Sequence, residues 1–303
     1  MNDLYDLFAT QKEVSLSSME YQPVDREEWI TRKQQERKAL FDKIEVTVQE
    51  MQSSGETFQN YLDVQSRFDR YSVSNAVLIT AQLPEATQLR TFDDWKEAGM
   101  FVAKGAEAIS ILEPGKEYQK EDGSTGVNYN VKKVFDISQT NGTRREFLRV
   151  PRDERALLRA LISGAPCKMA ISDEIPEKFN ALYKPEEKTI HIRQGLDGPA
   201  IFRALTQELA CAHMDKGNFN RNDSFFTAYC VSYVLCQRYG VAPDGITFDR
   251  IPEQFSKMEV KQFRAELTKI REVANEMSSG INRNLEEQQK AKKAREQQNR
   301  DSR

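Results

Sequence analysis

Apolar residues recur at helical spacing over three successive segments near the beginning of the chain. From residue 25 to residue 52 they fall three or four positions apart, and Ser-Ser-Gly directly afterwards is a stop signal. The same spacing predicts a second helix over residues 58–68 and a third over residues 72–82. A short capped helix is predicted over residues 91–99. The beginning of the chain is therefore predicted to be mainly helical.

The pattern changes to strands near residue 108. Residues 108–114 and 127–137 are predicted strands with a polar turn between them. Residues 1–22 are polar and aperiodic, which is typical of a flexible tail. Residues 23–150 are thus predicted to form a first domain of helices followed by a small β-sheet.

A second domain is predicted over residues 151–280, followed by a polar charged tail at residues 281–303. Its first helix covers residues 153–165, and the alternation around Thr-Ile-His-Ile-Arg predicts a two-stranded hairpin over residues 181–195. The tail is rich in Gln, Glu, Lys and Arg, so it is either a solvated helix or disordered. The predicted fold class is α+β with a long C-terminal helix. Further helices are predicted over residues 198–216, 223–239 and 257–279.

Composition limits the environment and the partners that we expect. The sequence contains no run of about 18 apolar residues, so we expect no membrane partner. It begins without a basic and apolar leader, and its four cysteines show no C-x-x-C spacing, which together predict a reducing, cytoplasmic location. A net charge of −3 does not indicate nucleic-acid binding by itself, although a local basic patch remains compatible with it.

The segment ALTQELACAHMDKG at residues 204–217 resembles the His-Glu-x-x-His helix of zinc metallopeptidases, with Gln207 and Cys211 at the two histidine positions. A catalytic zinc needs about three protein ligands and one open position. The amide of Gln207 is a poor ligand, and one thiolate cannot hold the ion alone. His213 does not complete the ligand set, because its separation of two residues from Cys211 places it about 200° around the helix.

This helix is one of several segments that together resemble the ArdC-type antirestriction family, which is typical of conjugative plasmids and integrative elements. That family combines an N-terminal single-stranded-DNA-binding domain with a zincin-like metallopeptidase domain. The resemblance implies a zincin-like α+β fold for the second domain. The matching segments are residues 67–87, 91–114, 134–142, 182–192, 204–213 and 225–240.

The resemblance also identifies where the chain departs from the family. The family's third metal ligand, a glutamate, aligns with Tyr229, so Gln207, Cys211 and Tyr229 replace all three ligands. We therefore predict a non-catalytic pseudopeptidase domain with no metal and no cofactor. Its vestigial Glu208 is expected to be a buried, hydrogen-bonded carboxylate.

Two enzymatic alternatives remain open for this domain. Cys211 and Cys230 could hold a metal across two packed helices, with Glu208 or Asp215 completing the set. Alternatively, Cys211 and Glu208 could act without the usual metal, although a nucleophilic cysteine normally has a histidine nearby.

The resemblance implies single-stranded DNA as a partner, which requires cations for the phosphates and aromatic faces for the bases. Trp95, Phe68 and Phe101 are expected in the core. Most of the family's basic loop is missing around residues 99–107, so we expect weak binding. The predicted DNA-binding residues are Arg67, Arg70, Tyr71, Lys96, Lys104, Lys132, Lys133, Arg144 and Arg145.

Two functional hypotheses from different classes follow. The first is an ArdC-like accessory protein of a mobile genetic element or phage. It binds single-stranded DNA, antagonises host restriction and docks a protein partner through its pseudopeptidase domain. The second is a protein–protein interaction module or decoy without DNA binding.

Overall fold

The structure is a computed structural model that describes residues 26–119, 123–142 and 153–301. It is an α+β fold in which helices pack around two small sheets, as predicted. The first part of the chain forms the helices α1 (Arg26–Ser53), α2 (Gly55–Arg67) and α3 (Val73–Gln82). Ser54 and Ser72 cap α2 and α3, because each side chain accepts a backbone N–H of the first turn.

The first sheet is antiparallel, and its strand order is β1-β3-β2. Its strands are β1 (Leu89–Arg90), β2 (Ile109–Gln119) and β3 (Thr125–Asp136). The short helix α4 (Phe92–Glu97) follows β1 and begins with a capping box. Trp95 of α4 is fully buried, and its indole nitrogen donates a hydrogen bond of 2.9 Å to the backbone of β3. The prediction that Trp95 belongs to the core is thereby confirmed.

Two amide side chains of α3 cover the outer edge of β2. The amide of Asn75 accepts the backbone N–H of Leu112 and donates to its carbonyl, both at 2.8 Å. Gln82 makes the same pair of bonds with the backbone of Ser110, both at 3.0 Å. These bonds satisfy backbone groups that an uncovered edge strand would present to other chains.

The second sheet combines parallel and antiparallel pairing in the order β4-β6-β5. The predicted hairpin is present as β5 (Ala181–Lys184) and β6 (Thr189–Ile192). The strand β4 (Lys168–Ile171) pairs with β6 in parallel and was not predicted. Its four residues are too short for a pattern, and the pairing depends on contacts distant in sequence.

Within residues 153–301, five helices accompany the second sheet. They are α5 (Glu154–Ser163), α6 (Gly198–Met214), α7 (Arg221–Tyr239), α8 (Glu253–Ser256) and α9 (Val260–Asp301). Across residues 26–119, 123–142 and 153–301, no helix is both long and apolar enough to cross a membrane.

Helix α9 continues well past the end that the sequence predicts. The sequence predicts this helix over residues 257–279, but Gly280 lies in the interior of α9. A glycine inside a helix costs about 1 kcal/mol relative to alanine. Burial of Ile281 and Leu285 in the core offsets this cost, since α9 packs against α5 beyond Gly280. Of the two alternatives predicted for the tail, a helix or a disordered segment, residues 281–301 form the helix.

The two predicted domains share one hydrophobic core. Phe58 of α2 stacks on Phe226 of α7 at a centroid distance of 5.7 Å and packs against Phe263 of α9 at 6.0 Å. Nearby, the hydroxyl of Tyr233 donates to a carboxylate oxygen of Asp63 at 2.8 Å. The predicted boundary near residue 150 therefore separates two sheets but does not separate two cores.

We expect Asn75→Ala to lower the free energy of unfolding by about 2–4 kcal/mol, because it leaves the buried N–H and C=O of Leu112 without partners. Urea unfolding would measure this change. Asn128→Ala, on the exposed part of β3, is the matched control and should change stability little. An unchanged urea midpoint for Asn75→Ala would show that its hydrogen bonds to the backbone of Leu112 do not stabilise the fold.

Candidate functional site

Helix α6 presents the motif residues to different surroundings. Asp197 caps the helix by accepting the N–H of Ala200. Glu208 and Cys211 are buried, whereas Gln207 is half-buried. The motif residues therefore lie on a regular α-helix. Their reactivity depends on the groups that surround these three side chains.

Both carboxylate oxygens of Glu208 are occupied by other parts of the protein. Oε2 accepts the backbone N–H of Tyr183 at 2.7 Å and the Nη2 of Arg221 at 2.6 Å. Oε1 accepts from Nη1 of Arg221 at 3.1 Å. The expectation that Glu208 is a buried, hydrogen-bonded carboxylate is confirmed. We call Glu208, Arg221 and the backbone of Tyr183 the clamp.

Arg221 is the functional residue that the sequence interpretation missed. It lies in the first turn of α7, and its guanidinium packs near the rings of Phe179 and Phe219 at 5.6 and 5.9 Å. Desolvation opposes its charge, but the hydrogen bonds and the charge of Glu208 raise the pKa of Arg221 above its ordinary value. A signal was available, because a cation in the first turn opposes the helix dipole and needs a compensating partner.

The clamp also closes the outer edge of β5. Nη2 of Arg221 donates to the carbonyl of Tyr183 at 3.1 Å, so both outward backbone groups of Tyr183 have intramolecular partners. Its phenol donates to Asp215 at 2.8 Å. An extended peptide therefore cannot pair with the backbone of this residue unless the clamp opens.

The thiols near the motif are unreactive at neutral pH because they stay protonated. Burial, followed by the charge of Glu208, raises the pKa of Cys211 to about 12. Burial raises the pKa of Cys230 well above its ordinary value. Both thiols are therefore protonated at neutral pH, whereas metal binding and nucleophilic attack require the thiolate.

Tyr229 is used to hold a loop. Its hydroxyl accepts the backbone N–H of Thr247 at 2.7 Å and lies 3.1 Å from the carbonyl oxygen of the same residue. Burial raises the pKa of this phenol. A neutral phenol with these bonds is not an ordinary metal ligand.

The residues at the positions that the resemblance assigns to metal ligands do not fit a divalent metal. Gln207 offers a neutral amide, Cys211 a protonated thiol and Tyr229 a bound phenol, while Arg221 neutralises Glu208. Within residues 26–119, 123–142 and 153–301, no three His, Cys, Asp or Glu side chains are grouped as a metal site would require. The alternative set of Cys211 and Cys230 with Glu208 or Asp215 is therefore not assembled.

The two histidines lie away from the motif residues. Nδ1 of His213 is 3.5 Å from a carboxylate oxygen of Glu276 in α9, and burial lowers the pKa of this imidazole. His191 is cross-strand in the second sheet, where its Nε2 lies 2.8 Å from Glu187. Neither histidine is positioned as a base for Cys211.

Several of the predicted DNA-binding cations have partners within the protein. Arg67 donates from Nε to the carbonyl of Ala86 at 2.8 Å and also bonds the carbonyl of Pro84. Lys132 forms an ion pair of 2.7 Å with Glu113. Lys133 donates to the hydroxyl of Ser110 at 2.7 Å. Successive strand residues point to opposite faces, so Lys132 and Lys133 do not form one patch.

The remaining predicted residues are more accessible but dispersed. Arg70 follows α2, Lys96 lies on α4, and Lys104 lies in the loop before β2, all with exposed side chains. Tyr71 is half-buried and packs edge-on against Phe68 at 5.5 Å. Arg144 and Arg145 lie outside the described residues.

Of the other aromatic predictions, Phe68 is correct and Phe101 is wrong. Phe68 is buried, as expected. Phe101 was expected in the core, but 59% of it is exposed. Its backbone bonds Asn141 in both directions, which holds it at the edge of the first sheet. The apolar residue was assigned to the core from its type alone, whereas the loop geometry turns it outward.

Comparisons with known proteins relate the first part of the chain to one family model. Residues 27–149 match the family model described as the N-terminal domain of anti-restriction factor ArdC. The chain is 23% identical over 322 residues to an uncharacterized protein of Bacillus anthracis. That match covers 88% of this chain and 54% of the relative, so the chain spans about half the relative's length.

A solved structure shows the same fold. The metal-free crystal structure of the antirestriction ArdC protein from plasmid R388 has a TM-score of 0.51 and 18% sequence identity. The match covers 70% of this chain and 86% of that one. At this identity, the likeness concerns the fold alone.

We expect Arg221→Met to lower the free energy of unfolding by about 3–5 kcal/mol, because it leaves the buried Glu208 carboxylate without its cation. Chemical denaturation would measure it, with Arg155→Met on the exposed face of α5 as the matched control.

The same experiment extends to a double-mutant cycle. Adding Glu208→Gln to Arg221→Met should cost less than the sum of the two single changes, with a coupling of about 1–3 kcal/mol. Additive effects would show that the two side chains do not stabilise each other.

Proposed function

We propose that the chain is a non-catalytic member of the ArdC-type antirestriction family that binds single-stranded DNA, because residues 27–149 match the ArdC N-terminal family model and the fold resembles that of an ArdC protein. The second domain then serves as a scaffold with a closed remnant of a metallopeptidase site. The protein acts by occupying DNA or a partner, and it does not cleave a substrate.

The proposal that the protein is non-catalytic rests on the hydrogen bonds that already engage both carboxylate oxygens of Glu208. A general base must lie within hydrogen-bond reach of the water that it deprotonates. Here both carboxylate oxygens accept bonds from Arg221 and the Tyr183 amide. Releasing the carboxylate would leave a buried charge unpaired, which typically costs about 3–5 kcal/mol. This supports a structural role for Glu208.

The DNA-binding part rests on the match to the ArdC N-terminal family model and on where basic residues cluster in the sequence. Phosphate contacts supply most of the affinity in sequence-tolerant binding. Several described candidates already have partners, as Lys132 does with Glu113. Residues 144–152 carry a basic excess, and the exposed Arg70, Lys96 and Lys104 add to it. The arginines of this stretch are Arg144, Arg145, Arg149 and Arg152, against the single acidic residue Glu146.

The biological setting follows from the same membership. The plasmid R388 relative is an antirestriction protein. We propose that this chain likewise antagonises host restriction on behalf of a mobile genetic element, inside the cytoplasm, with a protein partner docking on its second domain.

A second function is favoured by the charge of the described N-terminal region. Residues 26–119 and 123–142 contain more carboxylates than cations. Such a surface repels phosphates, and it fits a protein–protein interaction module or decoy without DNA binding.

An oligonucleotide-binding assay at low salt separates these two functions. We expect Arg144→Glu with Arg145→Glu to weaken binding of single-stranded DNA by about tenfold or more, because phosphate contacts are lost and repulsion is added. The matched control reverses Arg250 and Lys261, which are exposed on the second domain. Absence of binding by the unaltered protein would favour the interaction module.

A proteolysis assay and elemental analysis test the proposal that the protein is not a metallopeptidase. We expect less than one bound zinc or manganese per chain, and no cleavage of denatured casein when either metal is added, because no ligand set is present. Glu208→Gln and Cys211→Ala should not differ from the unaltered protein in this assay. Cleavage that either substitution abolishes would re-establish the chain as a hydrolase.

A further inference from the structure

A polar pocket of about 210 Å³ lies where α2, α7 and α9 meet. It is separate from the clamp, which lies at the opposite end of α7. Its walls include Arg67 at the end of α2, Asp69 from the loop after α2, Arg238 from α7, and Ser278 and Asn282 from α9. Asp69 and Asn282 are exposed, so the pocket opens to solvent. Its volume exceeds that of a water molecule, about 30 Å³, several-fold.

Every hydrogen bond that Arg238 donates within the described residues goes to a neutral acceptor. Nη1 donates to the carbonyl of Ala274 at 3.3 Å and to the hydroxyl of Ser278 at 3.0 Å, and Nη2 donates to the carbonyl of Gln65 at 3.3 Å. No described carboxylate forms an ion pair with it. Its Nε is buried and has no hydrogen-bond partner. Arg221, on the same helix, differs because Glu208 neutralises it.

The charges around Arg238 favour an anion. Burial lowers the pKa of Arg238, and the nearby Asp69 only partly opposes this effect. Arg271 adds to the positive charge near Arg238, and Arg67 lines the same pocket. Asp69 compensates the desolvated guanidinium only in part, since it forms no ion pair with it among the described residues, and an incoming anion would reduce the remaining cost.

We propose that this pocket binds a phosphate-type oxyanion, with Arg238 as its main cationic contact. Guanidinium groups are well suited to phosphate oxygens because they present several donors in one plane. The hydroxyl of Tyr239 lies 3.1 Å from Oδ1 of Asn282, which leaves the amide nitrogen of Asn282 as a further donor. The group is either a phosphodiester of a nucleic acid or free phosphate. The site does not depend on the DNA surface proposed above.

Titration with inorganic phosphate tests the site directly. The full chain should gain thermal stability with phosphate beyond that in chloride at the same ionic strength. Arg238→Gln should abolish this gain, whereas Arg250→Gln, which removes an exposed arginine elsewhere, should retain it. An equal response to phosphate and chloride, or an unchanged gain in Arg238→Gln, overturns the proposal.

A second variant keeps the test decisive if Arg238→Gln fails to fold. Asp69→Asn removes the carboxylate that repels an anion at the mouth of the pocket. We expect it to tighten phosphate binding about threefold or more in calorimetry. Asp42→Asn on the exposed face of α1 is the control and should leave the affinity unchanged. No tightening in Asp69→Asn would contradict an anion in this pocket.

Competition identifies the source of the phosphate group. If saturating phosphate at constant ionic strength weakens oligonucleotide binding, and a neutral methylphosphonate oligonucleotide does not compete for the pocket, the ligand is a nucleic-acid phosphodiester. If phosphate binds without affecting the oligonucleotide, the ligand is free phosphate. The phosphate titration itself contains no DNA, so a failure of the proposed DNA binding is distinguishable from a failure of this site.

Discussion

The buried ion pair between Glu208 and Arg221 is the constraint on which the candidate site depends. A carboxylate at this depth needs a cation, and the protein supplies one from the first turn of the following helix. The same guanidinium bonds the carbonyl of Tyr183, so one side chain joins α6, α7 and the edge of β5. A single permanent charge thus holds the motif helix to its sheet, which in a metallopeptidase a bound metal would help to organise.

This arrangement explains why several apparent departures belong together. Once Glu208 is neutralised by Arg221, the thiol of Cys211 can be buried in its protonated form, and Tyr229 is available to hold the loop at Thr247. Each replacement is compatible with a packed interior, whereas a partly retained ligand set would leave polar groups without partners. Glu208, Cys211 and Tyr229 thus each have a packing or hydrogen-bonding role in this interior.

Helix α7 also shows how one residue type serves two purposes. Arg221 at its beginning is neutralised by a buried carboxylate and packs between aromatic rings. Arg238 at its end has neutral acceptors and faces an open polar pocket beside the loop after α2. That loop comes from the N-terminal region, so the shared core makes the pocket a junction between both halves of the chain. A ligand in this pocket would contact residues from both halves of the chain.

The sequence by itself determined most of the helices and the hairpin, because these depend on local periodicity, and its short motifs showed the resemblance to the ArdC family. The helix end predicted at residue 279 and the core position predicted for Phe101 were wrong, since long-range packing against α5 and loop bonds to Asn141 outweigh local preference. Strand β4 and the pairing of Asn75 with β2 join segments distant in sequence, which no local pattern records. Only the tertiary structure placed Arg221 on Glu208 and left Arg238 without an ion pair among the described residues. The physical reason is that the partner of a buried charge is chosen by the packing of separate helices, and sequence spacing does not encode it.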